Sequence, residues 1–134
     1  MILSRTGVAR DRAAAALRAV GQSISIPPDH DGLRALRAQG RPVFVYFTAD
    51  WCLTCKVNER VAIDTDATRT AFAKARVAML VGDWTDGDAT LGRFIEQHNR
   101  AGVPLYLWYP PGAAQPQVLP QVLTPTTLSG LVAR

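Results

Sequence analysis

Residues 42–49, "PVFVYFTA", form a continuous apolar run of β-branched and aromatic side chains. A run of this length and composition is the pattern of a strand covered on both faces, so it demands packed layers on each side of a sheet. Directly after it comes "DWCLTCK", which holds both cysteines of the chain, Cys52 and Cys55. A helix can run from Cys52 to about Ile63. The chain therefore commits, over some twenty residues, to a buried strand that feeds a cysteine pair into a helix N-terminus.

The remaining pattern agrees with a layered fold. "ARDRAAAALRAV" (9–20) has strong helix formers and stops at Gly21. "SISIPP" alternates briefly and suggests a short edge strand. In "DHDGLRALRAQG", Asp31 is a cap, Leu33 and Leu36 share a face, and Gly40 is a stop. "ATRTAFAKA" reads as helix and "RVAMLVGDW" as a buried strand. "DATLGRFIEQHNR" is a helix with Leu91, Phe94 and Ile95 on one face and Asp88 as cap. "VPLYLWY" (103–109) is a strand, "PPGAAQ" a turn and "PQVLP" a short strand. "TPTTLSGLVAR" closes the chain as a helix with Thr124 as cap and Pro125 at its first position.

Strands that alternate with helices and end in a hairpin define an α/β fold, a central mixed β-sheet flanked by helices on both faces. The 134 residues suffice for one domain, expected over 26–134, with 1–25 as a partly helical extension.

Charge narrows the function classes. The net charge of +4 is carried almost entirely by arginines scattered over several helices and interleaved with acidic residues. A nucleic-acid binder shows a dense basic stripe with aromatics within it, and this chain does not. With 48% apolar and 19% charged residues the composition is that of a soluble globular protein. No apolar run approaches the roughly 20 residues that cross a bilayer, and "MILSRTGVARDR" is too quickly charged for a secretory signal.

Three uses of the cysteines compete. A staple is disfavoured, because cysteines three apart close too small a loop to stabilise much. Structural zinc needs four ligands, and the other soft candidates, His30 and His98, lie far apart in sequence. A two-thiolate copper(I) site stays open, since soft metals accept two sulfurs. Redox exchange fits the context best. At a helix N-terminus the free N–H groups and the helix dipole stabilise a Cys52 thiolate, which makes Cys52 the attacking group. Cys55, one turn on, is shielded and placed to resolve a mixed disulfide. Trp51 is expected beside the pair as a flat apolar contact surface, and Lys56 as a solvated helix residue. Glu59, four residues after Cys55, falls on the same helical face. A carboxylate there disfavours a neighbouring thiolate and can relay protons.

"ADWCLTCK" after an apolar strand, with "GVP" well downstream, resembles the thioredoxin superfamily. More narrowly, "YFTADWCLTCKVNE", "DWTDGD" and "GVPLYLWYPPG" are similar to the C-terminal periplasmic domain of the DsbD family of membrane electron transporters. The similarity covers roughly residues 30–134. It implies a thioredoxin-like fold, Cys52 as nucleophile, Cys55 as resolving thiol, and Pro104 as a cis-proline facing the pair. It also implies that Val103 offers its backbone polar groups to an extended substrate segment. The implied activity is protein-disulfide reduction on the periplasmic side of the inner membrane. The partners are a membrane-embedded electron-donor domain and periplasmic thiol/disulfide proteins, with no organic cofactor or metal. A free-standing reductase and a copper-binding module remain as alternatives.

One position departs from the pattern. The resemblance implies a buried aspartate six residues before the first cysteine, where this chain has Tyr46. Proton relay then falls to Glu59 alone, and the Cys52 pKa is expected to be less raised than beside two carboxylates. The uncharged Leu53-Thr54 pair between the cysteines points to a fairly reducing couple.

Overall fold

The structure, a computed structural model, describes residues 23–25 and 31–133. The helix expected over 9–20 and the Pro27-Pro28 stop lie outside the described residues. At the centre is β2 (Val43–Thr48), with all six residues buried. It pairs parallel with β3 (Ala78–Asp83) and antiparallel with β4 (Leu105–Tyr109). β1 (Ser23–Ser25) adds parallel beyond β3, and β5 (Gln117–Val118) adds antiparallel beyond β4, giving the order β1-β3-β2-β4-β5. This is the mixed sheet the sequence predicts, with "SIS" at its edge. β1, the short edge strand read from the alternation of "SISIPP", sets Ser23, Ile24 and Ser25 beside Met79, Leu80 and Val81 of β3.

Alternation along the strands divides the core into two layers. Val43, Val45, Phe47, Leu105 and Leu107 face α1 (Asp31–Ala38) and α4 (Ala89–Glu96), meeting Leu33, Leu36, Leu91, Phe94 and Ile95. Phe44, Tyr46, Tyr106 and Trp108 face the other way. There they meet Phe72 of α3 (Asp66–Ala75) and Leu128 of α5 (Thr127–Leu131), and also Ala62 and Ile63. Removing each large apolar side chain from water stabilises the fold by about 1.5–3 kcal/mol.

The helix expected from Cys52 to Ile63 is present but not uniform. Leu53–Asn58 is α-helical (α2), and Glu59–Ile63 continues as a π-helical turn closed by Asp64 N donating to Glu59 O at 2.6 Å. Two boundaries differ from expectation. β4 begins at Leu105 rather than Val103, because Pro104 has no amide for the ladder. α5 begins at Thr127, two residues later than Thr124 and Pro125 suggest. Those residues instead form a turn in which Thr127 N donates to Thr124 O at 3.1 Å.

Candidate active site

β2 delivers the chain to Ala49, fully buried, and a tight turn follows in which Cys52 N donates to Ala49 O at 3.1 Å. Cys52 is the N-cap of α2 in extended conformation, and its Sγ accepts from Cys55 N at 3.1 Å. Cap residues normally satisfy the first helical amides with oxygen, and here sulfur does so. The pair is joined as a disulfide, with the two Cα atoms 5.2 Å apart. Cys55 is fully buried, whereas Cys52 keeps 8% exposure. An amide aimed at Cys52 Sγ would equally stabilise its thiolate once the bond is opened.

Val103 packs against the cluster of Ala49, Cys52 and Cys55, and the Val103–Pro104 peptide bond is cis. Trp51, next to Cys52 in the chain, is 61% exposed and so presents the surface expected of it. Its orientation is held from the loop after β3. Trp51 Nε1 donates to Thr85 O at 3.0 Å, and Asp50 N donates to Thr85 Oγ1 at 2.9 Å. Thr85 in turn donates its hydroxyl and its amide to Asp83 Oδ1, and these bonds hold the Asp83 carboxyl below the usual carboxylate range. Trp84 lies 6.3 Å from the Trp51 ring, centroid to centroid. A Cβ on Gly102, next to Val103, would come within 3.3 Å of the Trp84 ring.

Glu59 is only 16% exposed in its side chain. Thr48 donates its hydroxyl to Glu59 Oε2 at 2.5 Å, and Lys56 Nζ stands 3.2 Å from Glu59 Oε1 and 3.9 Å from Asp50 Oδ1. Lys56, with its side chain 41% exposed, is the solvated helix residue expected and is also an ion partner of two carboxylates. The adjoining Asp64 carboxyl is raised, by burial first and by the Glu59 charge second. Tyr46, at the position of the missing aspartate, is 5% exposed and packs in the core beside Phe44, with ring centroids 5.6 Å apart.

Sequence reasoning missed four residues whose hydrogen bonds tie the elements around the pair together: Thr48, Thr85, Asn58 and Tyr106. Asn58 Nδ2 donates to Tyr106 OH at 2.8 Å, and burial pushes the Tyr106 hydroxyl up to about 12 despite that bond. The one available signal was Asn58 itself, a weak helix former in a helix interior that is 2% exposed.

A family model described as thioredoxin-like matches residues 30–111. The chain belongs to the thioredoxin-like family. Among curated relatives of this thioredoxin-like domain, thiol:disulfide interchange protein DsbD 1 of Pseudomonas aeruginosa is 34% identical over 92 residues, covering 68% of this chain and 15% of the relative. DsbD of Ralstonia nicotianae is 35% identical over 85 residues, covering 63% and 14%. The chain therefore spans about 15% of the length of the curated relatives it matches. Among solved structures, the oxidised C-terminal domain of Neisseria meningitidis DsbD aligns with TM-score 0.60 at 18% identity, covering 73% of this chain and 84% of that one. A mutant thioredoxin of Halobacterium salinarum aligns with TM-score 0.61 at 18% identity, covering 85% and 90%. At such identity these likenesses bear on the fold. No helix among the described residues is long and apolar enough to cross a membrane.

Proposed function

We propose that this thioredoxin-like domain is a protein thiol:disulfide oxidoreductase working as a reductase. It takes electrons from a membrane-embedded partner domain and passes them to acceptor proteins on the periplasmic side of the inner membrane. The observation that carries this reading is the Cys52–Cys55 disulfide at the N-cap of α2, with one sulfur partly exposed and the other buried. The similarity to DsbD proteins, named for thiol:disulfide interchange, supports it.

In the reduced domain the Cys52 thiolate attacks one sulfur of an acceptor disulfide. A Cys52–acceptor S–S bond forms as the acceptor bond breaks, and its second sulfur leaves as a thiolate that takes up a proton. Cys55, deprotonated, then attacks Cys52 Sγ, closing the internal disulfide and releasing the second acceptor thiol. Two electrons and two protons have moved to the acceptor, and a dithiol of the donor domain returns them by the reverse exchange. Glu59 accepts the Cys55 proton, while Val103, turned by its cis bond to Pro104, offers its backbone to the substrate segment and Trp51 excludes water beside it. Tyr46 serves as core packing.

Protein rather than small-molecule partners are favoured by the surface around the pair. Among the described residues six large hydrophobics are exposed: Trp51, Leu53, Val57, Val61, Val118 and Val122. Leu53, Val57 and Val61 lie on α2 and its π-helical turn, and Trp51 precedes Cys52. Val122 sits between Gln121 and Leu123, both bonded to Asn58. An apolar surface beginning at the reactive sulfur is what a protein partner would cover.

A Cys55→Ser variant expressed in the source cell should hold acceptors as mixed disulfides on Cys52, released by reductant and absent from the Cys52→Ser, Cys55→Ser double variant. Recovery of no protein partner would overturn the reading. A reduction potential near that of strong oxidants, about −120 mV, would overturn the reductase direction.

A further inference from the structure

α2 carries the disulfide, and the Val103–Pro104 segment that lies against it enters β4 from a distant part of the chain. The Asn58 side chain connects the two across 48 residues of sequence. Both hydrogens of its amide are committed, to Tyr106 OH at 2.8 Å and to Gln121 O at 2.8 Å, and its Oδ1 accepts from Leu123 N at 3.1 Å. Tyr106 stands two residues after Pro104 on the same strand. Gln121 Nε2 reaches back to Pro104 O at 3.4 Å. A loop joined to a helix only by apolar contact can slide, because apolar contact is non-directional. Hydrogen bonds to a buried amide impose a distance and an angle.

We propose that Asn58 and Gln121 are positioning residues, which act through Tyr106 and the Pro104 carbonyl. They hold the Val103–Pro104 backbone in register with Cys52 Sγ, so that a protein substrate pairs with that backbone and presents its sulfur in one motion. The proposal rests on the oxidoreductase reading above and adds a specificity device to it. Small disulfides do not use the Val103 backbone, so they escape this control, whereas polypeptide disulfides depend on it.

The test compares Gln121→Ala and Tyr106→Phe with the wild-type chain in reduction of insulin and of oxidised glutathione, with dithiothreitol as electron source. Gln121 is exposed and Tyr106→Phe keeps the ring, so both variants retain the packing of the fold. Each should raise KM for insulin about five-fold, the worth of one hydrogen bond, while kcat moves by less than about two-fold. The rate with oxidised glutathione should not change. An unchanged KM for insulin in both variants overturns the proposal. So does an equal loss toward both disulfides, which would mean damage to the disulfide itself. Wild-type protein that reduces glutathione but not insulin overturns the protein-reductase reading, and this proposal with it.

Discussion

Tyr106 shows how a single buried group makes pH visible in this protein. Burial is the first cause that lifts its hydroxyl to about 12, against an ordinary value near 10. A folded value above the unfolded one means that the neutral phenol contributes stability fully present below about pH 10 and lost as pH rises toward 12. We therefore expect stability to decline through that window, and the Tyr106→Phe variant to lack this part of the decline. Denaturant titrations at several alkaline pH values check it; parallel curves for the two proteins would refute it. At this scale the sequence reveals the cysteines and Trp51, because their chemistry is tied to neighbours along the chain. The Thr48 bond to Glu59 and the Asn58 bond to Tyr106 cross between elements, and so leave no local pattern.

Among the elements, β3 illustrates a constraint that spacing alone does not show. A Cβ on Gly82 would lie 2.6 Å from Phe47 Cδ2 and 2.9 Å from Leu91 Cδ2, and Phe47 is fully buried on the central strand. With no room to yield, Gly82→Ala should destabilise the domain by about 1–3 kcal/mol, measured as a shift in the urea midpoint. A neutral result would mean that β2 and α4 can separate locally. The strands over 42–49 and 76–84 were legible because continuous apolar runs admit few other readings. The π-helical turn at Glu59–Ile63 was not, since its register follows from packing against α3 and α5 rather than from residue type. At α5, Pro125 suits a turn as well as a first helical position, and the hydrogen bond to Thr124 O resolved that choice.

For the molecule as a whole, the sheet separates two helical layers that meet different sides of β2. Leu36 lies in one layer at 1% exposure and Leu128 in the other at 0%. Leu36→Ala and Leu128→Ala should each cost about 2–5 kcal/mol, read from urea titrations. Their effects should add within about 0.5 kcal/mol, because the two leucines belong to core layers on opposite faces of the sheet. A larger coupling would show that the layers communicate through the strands. By itself the sequence determined the layered α/β class, the central strand, and the delivery of Cys52 and Cys55 to a helix start, because periodicity and cysteine spacing are local properties. Only the tertiary structure decided what surrounds the pair. It joined Lys56 to Glu59 and Asp50, left Trp51 exposed on a strap from Thr85, and set Val103 against the disulfide. It also pinned α2 to β4 through Asn58. These arrangements depend on the distances between elements that meet only once the sheet has formed, and no stretch of the chain encodes such a distance alone.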